Sequence, residues 1–330
     1  MKVLDEHIKN KTFSNLYLIF GEEAYLKNQY EKKFIDTILD ESLKMINFSL
    51  FEGKNIDIKN IIDTLDTLPF MSNYRLVILK NTSLLFDAKK EDMKILEEYL
   101  HNIPKTTILI FIEEKIDKKL KIYKTITKIG SVHQIDTLDE NNLIKWITDK
   151  LKNNDKEINQ QNALYIIKSV GTNMEILLNE INKLISYSNN QTIIKDDIDN
   201  ICTKSVESKI FDLINFIANK NVNKAIDIYK NLIFNKTSPF FILNMIYRQF
   251  KIILQTKYLY NKGYGIKDIA NTINTRDFIV RDSFNQSKNF STKILINILN
   301  ECLETDNNIK TGKISDEVAV EILIIKYCGK

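Results

Sequence analysis

The feature that most constrains the fold is a change of hydrophobic period near Asp136. Before it, short runs of consecutive apolar residues alternate with segments whose apolar residues recur at helical spacing. The runs Leu16–Phe20, Phe48–Phe51, Leu76–Leu79, Thr106–Ile112 and Ser131–Ile135 predict five strands, all but the last mostly Ile, Leu, Val or Phe. Consecutive apolar positions suit strands covered on both faces, as in a parallel sheet. Glu23–Leu39, Asp57–Leu65, Lys89–Leu100 and Lys118–Ile129 predict helices between them. Such alternation reads as βαβ units in a doubly wound α/β sheet.

After Asp136 strand signal is scarce and amphipathic helices follow one another. Asp139 caps a helix whose core face carries Leu143, Trp146 and Ile147, and further helices are predicted over Gln160–Val170, Met174–Ser188 and Lys195–Ile201, the last with Thr192 as its cap. Thr203–Ser208 has no strong periodicity and reads as a hinge. A second helical block then covers Ile210–Ala218, Val222–Phe234, Phe240–Tyr260, Ile266–Ile273, Thr275–Ser287, Thr292–Asn308 and Asp316–Tyr327. No fixed-period repeat emerges, which argues against a solenoid. Only eight glycines and three prolines punctuate 330 residues, in keeping with long helices. The expected organisation is α/β then all-α, in three domains: 1–137, 138–205 and 206–330.

Composition removes several function classes. The longest uncharged apolar runs, such as Ile108–Ile112 and Ile322–Ile325, are far short of the ~20 residues of a membrane span. Met1–Lys11 is charged and shows no signal-peptide pattern. Cys202, Cys302 and Cys328 are few and far apart, as reduced thiols of a cytoplasmic protein would be. The net charge of +4, from 47 basic and 43 acidic residues, does not by itself predict a nucleic-acid binder. Nearly all the basic residues are lysines, which read mostly as solvated surface.

Catalytic chemistry is missing where it would be sought first. A phosphate-binding loop needs glycines whose amides wrap the phosphates, a Lys for their charge and a Ser or Thr for magnesium. The junction after the first strand instead reads Phe20-Gly21-Glu22-Glu23-Ala24-Tyr25-Leu26-Lys27. Glu22 and Glu23 stand where the anion would lie; their ordinary role is as first-turn acids of a helix. The third strand ends Val77-Ile78-Leu79-Lys80-Asn81, without the paired acids that hold a metal-bound water. HExxH, CxxC and GxSxG patterns do not occur, and His7, His101 and His133 are isolated residues read as surface or loop. No catalytic residue, metal site or cofactor is expected.

One segment carries recognition chemistry. In Asp66-Thr67-Leu68-Pro69-Phe70-Met71-Ser72-Asn73-Tyr74-Arg75, Pro69 stops a helix and holds its predecessor extended. Leu68, Phe70 and Met71 surround that break. They could fold back under their own helix as core, or form an apolar tip on a stiffened loop, which loses little entropy on docking.

The junction Leu16-Tyr17-Leu18-Ile19-Phe20-Gly21-Glu22-Glu23-Ala24-Tyr25-Leu26 resembles the opening of the delta subunit of bacterial DNA polymerase III, a clamp-loader subunit. Thr67-Leu68-Pro69-Phe70-Met71-Ser72 with Arg75-Leu76-Val77-Ile78-Leu79-Lys80-Asn81 is similar to that family's "T-L-P-F-hydrophobic-S … R-L-V" stretch. Asn179-Glu180-Ile181-Asn182-Lys183-Leu184 and Asp306-Asn307-Asn308-Ile309-Lys310-Thr311-Gly312 resemble two later motifs in the same order. The resemblance implies an AAA+-type P-loop domain with a degenerate nucleotide site at Gly21, Glu22, Glu23 and Lys27, a small helical lid and a C-terminal helical collar for oligomerisation. It also implies a subunit of the DNA polymerase III holoenzyme without catalysis of its own. Such a subunit binds the beta sliding clamp through Pro69 and Phe70, flanked by Leu68 and Met71, and opens the ring. Where some relatives have Leu at the first of that pair, this chain has Pro69. The implied partners are the clamp, the delta-prime and gamma/tau subunits, and primed DNA within the assembled loader. Lys209, Lys236, Lys251 and Lys257 are the collar lysines considered for DNA. The alternatives are an AAA+-like ATPase or nucleotide switch with a divergent pocket, which saturable ATP binding to the isolated chain would reveal, and a lysine-rich nucleic-acid binder acting alone.

Overall fold

A computed structural model describes residues 2–54, 56–87, 89–188 and 190–328; Met1 and Lys330, the outer ends of the expected first and last domains, lie outside the described residues. The chain divides into two compact units between Leu138 and Asp139.

The first unit is a parallel five-stranded sheet with the order β2-β3-β4-β1-β5. Its strands are β1 (Leu16–Phe20), β2 (Phe48–Glu52), β3 (Arg75–Lys80), β4 (Thr107–Glu113) and β5 (Ser131–Gln134), each within a residue of the apolar runs. The central strands β1 and β4 are buried along their whole length, the reason they read as unbroken apolar runs. At the edge, β2 exposes Leu50. The helices are α1 (Lys2–Asn10), α2 (Ala24–Ile38), α3 (Lys44–Asn47), α4 (Ile58–Asp66), α5 (Lys90–Tyr99) and α6 (Lys121–Ile129). Ile61, Leu65, Leu96, Ile122 and Ile126 of α4–α6 join Leu18, Phe20, Val77, Leu79, Leu109 and Phe111 in one core.

Two local expectations need correction here. No helix is predicted at the N-terminus, yet α1 forms. It buries only Leu4 and is held by tertiary bonds, Tyr30 Oη to Asp5 (3.0 Å) and His7 Nδ1 to Tyr17 Oη (2.9 Å). The helix expected from Lys118 starts at Lys121, because Asp117 first accepts bonds from Lys119 and Leu120 and makes a turn.

The second unit is helical: α7 (Glu140–Lys152), α8 (Gln160–Val170), α9 (Met174–Tyr187), α10 (Lys195–Ile201), α11 (Val206–Ala218), α12 (Val222–Phe234), α13 (Pro239–Asn261), α14 (Ile266–Thr272), α15 (Asp277–Ser287), α16 (Thr292–Lys310) and α17 (Asp316–Cys328). The 23-residue α13 starts with Pro239 in its first turn, where a missing N–H costs nothing, and its Ile242, Ile246, Phe250 and Ile253 join a cluster drawn from residues 206 onward.

Three readings change here. Ile144, not Trp146, completes the buried face of α7; Trp146 is half-buried with Lys150 over its ring. Thr192 does not cap α10. It bridges Glu157, and Asp197 accepts from the Ile194 N–H at 3.0 Å. Thr203–Ser208 is tied down: Thr203 N donates to Glu180, Ser205 N to Ser169 O, and Ser205 Oγ caps α11. Backbone and capping bonds hold it, so it shows no apolar period.

Candidate protein-docking tip and the junction after β1

In an open α/β sheet, ligands bind beyond the carboxyl ends of the strands where the topology reverses. Here the chain leaves β1 for one side of the sheet, and later crosses from β4 over β1 to β5 on the other. The reversal point is therefore the end of β1, where Gly21–Lys27 lies. Its amides are committed inward. Gly21 N donates to Glu113 O (3.2 Å) at the end of β4, and Glu23 N donates to Ile135 O (3.1 Å) just past β5. Gly21 has φ +130°, and a Cβ there would sit 2.3 Å from Ile135 O. Of the two acids, only Glu23 serves the helix, capping α2 by accepting from Tyr25 N at 3.1 Å; Glu22 is exposed.

Lys27 closes the crevice. It is 5% exposed, and its ammonium donates to Gly21 O (2.6 Å) and Glu113 O (2.9 Å). Burial pulls its pKa down, while Glu114, Glu113 and Glu23 nearby pull it back up. A lysine that neutralised phosphates would face the solvent side of this loop; Lys27 instead ties together the ends of two strands. The Glu113 carboxylate turns toward the loop after β3, accepting from Thr82 N (3.0 Å), Thr82 Oγ1 and Ser83 N, and burial raises its pKa.

His133 is not a surface or loop residue. It lies half-buried on β5 with Nε2 2.7 Å from Ser131 Oγ, and burial lowers its pKa to about 4. Among the described residues no group of three or more His, Cys, Asp or Glu is placed to hold a metal ion. All three cysteines are free and buried.

The loop after α4 has the opposite character. The carbonyls at the end of α4 are satisfied, with Thr67 Oγ1 donating to Asp63 O (2.8 Å) and Thr107 Oγ1, from β4, to Leu65 O (3.0 Å). Beyond it Leu68, Phe70 and Met71 are 73%, 54% and 79% exposed, while Pro69 is half-buried. The fold-back alternative is thus excluded for these side chains. The backbone is held all the same: Asn47, fully buried at the end of α3, accepts from Phe70 N (2.7 Å) and donates to Phe70 O (2.9 Å). Arg75 braces the same region by donating to Ile46 O (3.1 Å) and Ser49 Oγ (3.2 Å). Met45 and Ile46, beside Asn47 in sequence, are also exposed. Sequence reasoning missed Asn47, which has no motif around it and lies 23 residues from its partner.

The four lysines of the second unit considered for DNA differ in freedom. Lys257 donates to Ser287 O (2.7 Å) and Phe290 O (2.9 Å), so it serves as an internal tie for carbonyls at the end of α15; Lys209 donates to Asn231, whereas Lys236 and Lys251 are exposed. Among the described residues no helix is long and apolar enough to cross a membrane.

Residues 17–136 match the family model "DNA polymerase III, delta subunit", and residues 207–327 match "DNA polymerase III delta subunit, C-terminal domain". The chain belongs to the DNA polymerase III delta-subunit family. This delta-family chain is 28% identical over 319 residues to DNA polymerase III subunit delta of Bacillus subtilis, covering 94% of this chain and 92% of the relative. It is 23% identical over 270 residues to the subunit delta of Buchnera aphidicola, covering 78% and 77%. The solved structure of the Bacillus subtilis DNA clamp loader delta protein matches with a TM-score of 0.70 at 27% identity, over 100% of this chain and 99% of that one. The parallel sheet and the long helical part of the delta-family chain are those of the clamp-loader delta fold.

Proposed function

We propose that this delta-family subunit docks on the beta sliding clamp through Leu68, Pro69, Phe70 and Met71 and opens one interface of the ring, so that the clamp can be loaded on primed DNA. The observation that carries the reading is a solvent-exposed group of three large apolar side chains on a loop whose backbone is held by a buried amide. Exposed apolar side chains grouped in this way mark interaction sites.

The mechanism is a shift of equilibrium. A ligand moves a two-state system only by its different affinity for the two states. The tip must therefore bind the clamp more tightly when the neighbouring ring interface is parted. Aromatic anchors contribute about 2–4 kcal/mol each at such sites, enough to bias an interface already under strain. No hydrolysis is assigned to this chain: the crevice at Gly21–Lys27 is filled by its own lysine and amides, which supports an AAA+-type domain that does not bind nucleotide. ATP acts through the sister subunits. Residues 138–205 are read as the lid and 206–330 as the collar that joins delta-prime and gamma/tau, and the apolar cluster shared by α11, α12, α13, α16 and α17 supports that division. Contact with DNA belongs to the assembled, cytoplasmic loader.

The test is the affinity of the full chain for purified clamp. With 54% of Phe70 still to be buried, Phe70→Ala is expected to weaken binding by about 30- to 1,000-fold and to leave the melting temperature unchanged. Unaltered affinity would remove the tip from the interface.

A further inference from the structure

A fully buried polar side chain bonded to the tip plays no part in any motif. Asn47 has 0% exposure and meets the Phe70 peptide unit from both ends, Oδ1 taking its N–H at 2.7 Å and Nδ2 giving to its C=O at 2.9 Å. An amide bonded in this way acts on one residue as a neighbouring strand acts on a ladder, fixing where the backbone lies and hence the direction in which the side chain leaves it. Phe70 needs such a constraint. It lies outside the sheet, and Met71 after it sits at φ +50°, a left-handed conformation disfavoured for a residue with a Cβ. Arg75 holds the segment that carries Asn47 through Ile46 O and Ser49 Oγ.

We propose that Asn47 is the positioning residue of the tip: it presents Phe70 in the conformation that enters an apolar pocket on a protein ring, and acts on that partner only through Phe70. The inference rests on the reading of Leu68–Met71 as the clamp-docking tip. Its kinetic signature is specific. When only a fraction of molecules holds the competent conformation, the apparent affinity falls by that fraction. The fraction scales association, while the complex once formed dissociates as before. A residue in direct contact shows the reverse, a faster dissociation.

The experiment uses the full chain and immobilised clamp, at a temperature where circular dichroism shows each variant folded. Asn47→Ala is expected to lower kon about tenfold, equivalent to ~1.4 kcal/mol, a size consistent with two lost hydrogen bonds, with koff within about twofold. Phe70→Ala is expected to raise koff. A folded Asn47→Ala with normal kon overturns the positioning role, even if its melting temperature has dropped. Phe70→Ala with normal affinity overturns the docking reading itself, and the inference with it. Should Asn47→Ala not fold, Asn47→Ser, which leaves a smaller cavity but a hydroxyl too short to span both ends of the Phe70 peptide unit, is likewise expected to lower kon; no fall counts against the proposal. Hydrogen exchange of the unaltered chain gives a check without any substitution. The Phe70 amide is expected to exchange more slowly than the Met71 amide, and equal protection would contradict the role of Asn47.

Discussion

Replacing Gly21 by Ala tests whether the crevice at the end of β1 is a packed joint or a ligand site. At φ +130° the new Cβ would lie 2.3 Å from Ile135 O, 2.7 Å from Ile135 C and 2.9 Å from Asp136 Oδ1. Two of these atoms are backbone and cannot swing aside. They are also bonded on either side, since Ile135 N donates to Phe20 O (2.7 Å) and Ile135 O accepts from Glu23 N (3.1 Å). Holding a side chain at such a φ costs about 1–3 kcal/mol, and moving Ile135 forfeits two hydrogen bonds at ~1 kcal/mol each. The sum is ~3–5 kcal/mol for the first unit. For a unit of this size each kcal/mol lowers the melting temperature by about 3 °C, so Gly21→Ala is expected to melt about 10–15 °C lower. Calorimetry of the full chain reads this directly, and amide exchange should confine the loss to residues 2–138. If the glycine were there to let a phosphate approach, Ala would spare stability and act only on nucleotide-dependent stabilisation. A drop below about 3 °C would refute the packed-joint reasoning.

The pH response of the first unit should carry the imprint of His133. Its imidazole is held at about 4 by burial, so between pH 6.5 and 4 the unfolded chain takes up a proton that the folded chain refuses. The stability from this site is complete above pH 6.5 and is lost as the pH falls toward 4; His133→Gln should flatten that part of the curve of melting temperature against pH, and an unchanged slope would exclude the site. In the second unit, Arg281 reaches both carboxylate oxygens of Glu140, at 2.6 Å for the longer bond. The pair is partly exposed, so Arg281→Gln is expected to cost no more than about 1 kcal/mol, and less at high salt, in denaturant titrations at two ionic strengths.

Much of the fold was legible because its driving force is periodic. A strand buried on both faces must be apolar at consecutive positions, and β1, β3 and β4 are. Elements held by something other than an apolar face were not legible. The nine residues of α1 bury one leucine and depend on Tyr17 and Tyr30 from later elements. The cap of α10 is Asp197 reaching back, not the Thr192 that precedes the helix. For the candidate site, the residues of the tip were visible around Pro69, but their exposure was not: the same Leu68 and Phe70 would serve equally well as core. Asn47 was invisible, because an Asn before a strand has many uses and only the folded chain places it against Phe70.

The two hydrophobic periods, the change between them near Asp136, the missing phosphate-binding residues and the motifs of the delta family are all written in the order of the residues. These are properties of single segments, set by local periodicity and residue type. Which way Lys27 points, whether the tip faces solvent and what holds it there are settled by contacts between distant segments. Those outcomes depend on the strand order, which brings Gly21, Glu113 and Ile135 together at one end of the sheet, and on the 23-residue reach from Asn47 to Phe70. A lysine near a strand end can serve either an anion or a carbonyl; here burial beside two carbonyls selects the second.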